Sequence, residues 1–281
     1  MTFLVTLLIT TILVIVLQRP LLRRPGVFYI PALALTGLYL YANHAGVSVN
    51  LWLYLLFLVQ RCSIALALFA LVMFAGVFPK DSRLRAILYP LRRQLAITGF
   101  ILAAGHIAGY LDVFISGIFS GETRFDPRLT ASIAISSAAA ALLAVLTATS
   151  FTAVRKAIAP ARWKRVQTLS YPFFLLVFVH VLLILLPSAS AGSGTAAVNL
   201  VVYAALFIAY GVLRLRRAFL DRRKNLFLER GFVVRNILWV LAAGLIFSSL
   251  GLSQSFLGSV RGRVFDSTGA AIEGVKVVLT N

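Results

Sequence analysis

The chain has 281 residues, of which 60% are hydrophobic and 12% charged, and its mean hydropathy is +0.95. A water-soluble fold of this size could not cover so much apolar surface, so the composition excludes an ordinary globular enzyme and calls for a bilayer. The net charge of +19 does not signal nucleic acid, because the cations follow the membrane pattern set out below.

Apolar runs of about 20 residues predict eight transmembrane helices, over residues 2–17, 27–43, 50–78, 94–119, 130–153, 168–187, 196–213 and 232–256. The expected fold is an all-α integral membrane helical bundle with a short β-hairpin tail. Residues 1–45 hold the first two helices, 46–218 the core, 219–231 a basic loop, 232–257 the last span and 258–281 the tail. No cleavable signal peptide is expected, since positive charge follows the first apolar run instead of preceding it.

The third span contains Arg61 and the sole cysteine, Cys62, so no intrachain disulfide, zinc cluster or iron–sulfur site can be built from cysteines. The fourth contains His106. The fifth, ASIAISSAAAALLAVLTATS, is rich in Ala, Ser and Thr; small residues let helices approach closely, which predicts a central position, with hydroxyls bonded back to their own helix. The sixth contains His180. No span carries paired carboxylates or an evident broken-helix repeat, which argues against a transporter.

Of the 27 basic residues, 21 fall in alternate loops. These are Arg19, Arg23 and Arg24; Lys80, Arg83, Arg85, Arg92 and Arg93; Arg155, Lys156, Arg162, Lys164 and Arg165; and a set of eight from Arg214 to Arg235. By the positive-inside rule these loops face the cytoplasm, which puts both termini outside. The stretch RLRRAFLDRRKNLFLERGF also has helical spacing of Leu and Phe and is expected to lie along the anionic inner surface; a docking site for an electron donor is the alternative. After residue 258, GSVRGRVFDSTGAAIEGVKVVLTN reads as two strands joined by a turn around Asp266–Gly269.

His106 lies 11 residues into its span and His180 12 into its own, both running outward. At about 1.5 Å per residue both sit roughly 16 to 18 Å into a core about 30 Å thick. An intramembrane ionisable residue is functional by default, and two imidazoles at one depth could share one haem iron. Gly99, Ala103 and Gly109 leave one stripe beside His106 nearly bare, where a flat ring could rest. Phe173, Leu176, Val177, Leu183 and Ile184 form the facing apolar wall. The alternatives are a polar pair bridging two helices, or two unrelated core histidines. Arg61, near the same depth, needs a partner: a haem propionate or Asp112. His44, at the outer end of the second span, reads as interfacial.

Two stretches, FAGVFPKDSRLRAILYPLRRQLAITGFILAAGHIAGY and ARWKRVQTLSYPFFLLVFVHVLLIL, resemble ferric reductase-like transmembrane domains over about residues 18–217. The resemblance is to a bacterial branch similar to the haem-binding membrane subunit of methionine sulfoxide reductase. It implies a six-helix core in the bacterial inner membrane, and puts His106 and His180 at haem-ligand positions. It also implies a haem b protein for electron transport, a possible oxidoreductase component rather than a complete enzyme. NADPH oxidase-type members of the family carry a second histidine about 13 residues before each ligand; here those positions are Arg93 and Gln167, so one outer haem is expected. The chain shows no nucleotide-binding domain, so electrons would come from quinol or a reductase, with FMN or quinone on a partner or in the membrane. They would leave towards an extracytoplasmic redox partner. The tail resembles the start of carboxypeptidase regulatory-like domains. Its 24 or so residues are too few to bury a core, so it reads as the start of a longer domain or as strands that join another sheet. A haem-free anchor or assembly protein for such an outer β domain is the alternative function.

Overall fold

The computed structural model describes residues 3–45, 47–119 and 127–224, which contain helices and connecting segments but no strand. The last predicted span, 232–256, and the hairpin tail lie outside the described residues. The helices are α1 (Phe3–Val16), α2 (Gln18–Arg23), α3 (Gly26–Ala45), α4 (Val49–Leu55), α5 (Ser63–Phe74), α6 (Arg83–Phe119), α7 (Pro127–Ala148), α8 (Thr152–Ala157), α9 (Pro160–Gln167), α10 (Ser170–Ser190) and α11 (Gly194–Lys224).

Six helical stretches are long and apolar enough to cross a membrane: Gly26–Ala45, Val49–Phe74, Arg83–Ser116, Pro127–Ala148, Pro160–Ser190 and Gly194–Leu220. This is a multi-pass membrane protein with an α-helical bundle. The first predicted span is shorter than the rest. With 14 residues α1 is about 21 Å long, less than the roughly 30 Å of a hydrocarbon core. A backbone bond from Leu21 N–H to the Leu17 carbonyl carries the chain on into α2.

α6 packs on α3 and α5, α10 on α7 and α11, and α1 closes against α5 and α11. The centre of the bundle is α5, in which nine residues from Ser63 to Met73 are buried. This corrects the expectation for the Ala/Ser/Thr-rich span, α7, which packs chiefly on α10 and keeps a lipid-facing side with Val145 exposed. Small side chains permit close approach, but they do not require a helix to be surrounded. In α5 the residues Ala65, Ala67 and Ala70 admit neighbours on several sides at once.

The third span is broken at a point that only the polar pair Gln60 and Arg61 marks in the sequence. Leu56–Gln60 winds as a π-helical turn, with Arg61 N–H bonding the Leu56 carbonyl at 2.9 Å. Cys62 then takes a left-handed conformation (φ 54°, ψ 20°) before α5 begins. A β-carbon in that region costs roughly 1–2 kcal/mol, so surrounding contacts have to hold it there. Such bulges recur at functional sites.

Candidate functional site

α6 and α10 bring His106 and His180 together, with ring centres 6.5 Å apart and planes at 83°. The equal depth counted along two parallel helices becomes a direct encounter. Each ring is held through Nδ1. His106 Nδ1 donates to the Gln60 carbonyl, which fixes the tautomer, since a carbonyl can only accept. That acceptor comes from the broken span: the left-handed Cys62 interrupts the helical ladder just beyond Gln60, and the carbonyl bonds sideways into the bundle. His180 Nδ1 lies 3.2 Å from Ser132 Oγ on α7. Neither Nε2 has a hydrogen-bond partner among the described residues. Tyr110, one turn on from His106, packs edge-on against its ring at 5.0 Å.

Sequence reasoning missed both anchors. Ser136, Thr149 and Ser150 do bond back to their own helix, but buried Ser132 departs from that expectation and reaches across to α10. Depth gave no signal, since Ser132 lies five residues in from the start of α7 whereas His180 lies ten before the end of α10. The Gln60 carbonyl gave none, because a backbone acceptor has no signature in composition.

The bare stripe is not an open bed. A methyl at Gly99 would come 2.8 Å from Phe69 Cε1, and one at Gly109 would strike the Tyr39 hydroxyl and come 2.8 Å from Tyr39 Cε1. These glycines seat aromatic rings of α5 and α3, and Ala103 is buried in the core. The expected resting place for a flat ring is therefore corrected: helix packing fills it. On the facing wall, Phe173 is buried and meets Phe69 edge-on at 5.3 Å. Leu176 and Val177 pack on the same core, whereas Ile184 is exposed and takes no part in the wall.

Arg61 is exposed at the helix break, next to Gln60 and within electrostatic reach of Tyr110 and Tyr203. No carboxylate pairs with it among the described residues. Asp112 instead accepts from Asn43 Nδ2 at 3.0 Å and lies 3.9 Å from His44 Nε2, so the proposed Arg61–Asp112 pair does not form. His44, with 68% of its side chain exposed, lies in the last turn of α3.

Thirteen residues nearer the basic end, Arg93 donates to Thr152 Oγ1 at 2.8 Å and Gln167 to Thr149 Oγ1 at 3.0 Å. Both side chains tie the helix ends to the α7–α8 junction, where Trp163 also donates to the Thr149 carbonyl at 3.0 Å. A guanidinium and an amide nitrogen offer no lone pair to iron, so these positions do not fit an inner haem.

The His106–His180 pair has a spacing comparable to that of two imidazoles on one ion. Metal–nitrogen bonds of about 2 Å, with about 1 Å more from each nitrogen to its ring centre, put two imidazoles on one iron roughly 6 Å apart centre to centre. The observed 6.5 Å lies close to that spacing. Among the described residues no group of three or more His, Cys, Asp or Glu assembles.

A protein of Treponema pallidum (strain Nichols), described only as uncharacterized, is 35% identical to this chain over 163 residues. The match covers 58% of this chain, which spans 45% of that relative's length. No family model matches the chain, and no solved structure matches it.

Proposed function

We propose that this chain is a haem b electron-transfer protein of the bacterial inner membrane, resembling ferric reductase-like transmembrane domains, with both termini outside. His106 and His180 are the axial ligands of a single haem in the outer half of the bilayer. The observation that carries this reading is two imidazoles 6.5 Å apart, each tied through Nδ1 and each with no Nε2 partner among the described residues.

When bound, the haem supplies reversible one-electron storage at its iron. The chain's own residues do the rest. The Gln60 carbonyl holds His106 as the tautomer whose Nε2 lone pair is available, and Ser132 does the same for His180 by accepting from Nδ1–H. Such outer contacts orient a ligand and raise its basicity. Arg61, without a carboxylate partner among the described residues, is placed to meet a propionate. Phe69, Phe173, Leu176 and Val177 keep water from the inner side of the pair, which lowers the local dielectric and so sets the potential. With no second ligand pair at Arg93 and Gln167, electrons reach the site from quinol or a separate reductase, by way of FMN or quinone. They pass to an extracytoplasmic acceptor.

The deciding measurement is the reduced-minus-oxidised visible spectrum of the purified protein after expression with ample haem. A sharp α band that is lost in His106→Ala and in His180→Ala is the expected result. A folded, colourless protein refutes it. That outcome would favour the second reading, a haem-free membrane anchor for an outer β domain, which the filling of the glycine stripe by Phe69 and Tyr39 supports.

A further inference from the structure

At the basic end of the bundle, remote from the histidine pair, a cavity of about 250 Å³ opens between α5, α6, α10 and α11. Lys80, Arg85, Arg92, Arg214 and Arg217 all line it, and among the described side chains no Asp or Glu does. The sequence builds it from two matching faces: Arg85, Tyr89 and Arg92 on α6 and Tyr210, Arg214 and Arg217 on α11 each follow the i, i+4, i+7 spacing of one helix stripe. Positive-inside anchoring alone asks only that cations lie near the interface, where long side chains would spread into water. Here they converge instead.

Their geometry is that of a prepared site. The Arg85 and Arg92 guanidiniums both approach the Tyr89 ring, at 4.8 and 5.4 Å from its centre, and Arg214 lies 4.9 Å from the Tyr171 ring centre. Stacking on a ring fixes the guanidinium plane and leaves N–H edges to bond in that plane. Arg85 uses one such edge on the Phe78 carbonyl at 3.0 Å, and the buried Arg92 Nε has no hydrogen-bond partner. Tyr210 adds a hydroxyl to the lining, and Ser170, whose own hydroxyl donates to the Gln167 carbonyl, leaves an oxygen there. Like charges facing one enclosed space repel, and a multivalent oxyanion relieves that repulsion while accepting several N–H bonds at once. The volume is below the roughly 300–1,000 Å³ of pockets for drug-sized molecules, a size for a small headgroup.

We propose that this cavity binds a phosphate group, carried by an anionic lipid headgroup or free in solution. Basic pockets between membrane helices suit both, and the assignment stands independently of haem.

The test uses the full chain in a zwitterionic detergent, with thermal stability followed as inorganic phosphate or short-chain phosphatidylglycerol is added at constant ionic strength. Short-chain phosphatidylcholine and chloride serve as controls. A saturable rise is expected with at least one phosphate probe and not with the controls. In Arg92→Gln/Arg214→Gln the midpoint of that rise should move at least tenfold higher, while Arg162→Gln/Lys164→Gln, which removes two cations outside the cavity, should shift it less than twofold. Should the first variant not fold, Lys80→Gln in the connector reads the same site, with a shift of at least threefold expected. A response to phosphate assigns the free anion; a response to the lipid alone assigns the headgroup. No saturable response to either, or equal losses in the cavity and control variants, overturns the proposal.

Discussion

Replacing Gly109 by alanine separates two uses of the stripe beside His106. If the glycines are there to seat Tyr39 and Phe69, the new methyl meets a ring that cannot retreat. Tyr39 is 0% exposed, and its Cε1 and Cζ would both lie 2.8 Å from the added carbon. Overpacking of this kind costs about 1–3 kcal/mol. The helix-propensity gain of glycine to alanine, about 1 kcal/mol, offsets part of it, so a net loss of up to about 2 kcal/mol is expected. Gly37, on α3 with nothing within 4 Å of its missing side chain, supplies the control: Gly37→Ala should be neutral or stabilising by up to about 1 kcal/mol. The Tyr39 hydroxyl is buried without a partner, so Tyr39→Phe should cost little and should recover part of the loss in the double variant. The assay is equilibrium unfolding in mixed micelles, read beside the haem spectrum. Gly109→Ala is expected to lower stability and leave the spectrum in place. Wild-type stability combined with a lost or shifted α band would refute the packing argument and restore the stripe as a bed for the ring.

Three further outcomes follow from the site. Ser132→Ala should weaken haem retention about 10- to 100-fold, the usual effect of removing a contact to a metal-bound histidine. Ser132→Thr should preserve retention, and Ser136→Ala, whose hydroxyl bonds its own helix, should not change it; equal losses in Ser132→Ala and Ser136→Ala in haem-dissociation measurements would remove Ser132 from the site. Arg61→Gln should speed haem loss and move the midpoint potential while leaving both axial ligands, so potentiometry that matches wild type would discard the propionate contact. Haem content should saturate at about one per chain, and two per chain by pyridine haemochrome would contradict the structural use of Arg93 and Gln167.

What the sequence disclosed was governed by periodicity and depth. Apolar length located the spans, and counting 11 and 12 residues along two parallel helices anticipated the meeting of His106 and His180, because helical rise is nearly invariant. Direction around the helix axis was harder to read. Gly99 and Gly109 share a stripe with His106, yet the rings of neighbouring α5 and α3 occupy it, and only tertiary packing decides which neighbour fills a gap. The break at residues 56–62 has no glycine or proline to mark it, since a π-turn and a left-handed cysteine are fixed by what surrounds them. The centrality of α5 escaped for a related reason: an all-round apolar helix looks the same whether lipid or protein encloses it.

The tie between His106 and the main chain at Gln60 has a genetic corollary. An acceptor drawn from the backbone cannot be deleted by exchanging the side chain that bears it, so substitutions at position 60 are expected to be largely silent for the imidazole. The vulnerable position is two residues further on. A residue at 62 that resists the left-handed region, such as valine or isoleucine, would favour an unbroken helix, turn the carbonyl back into its own ladder and release the histidine. Damage to the site would then map to a position that never touches it.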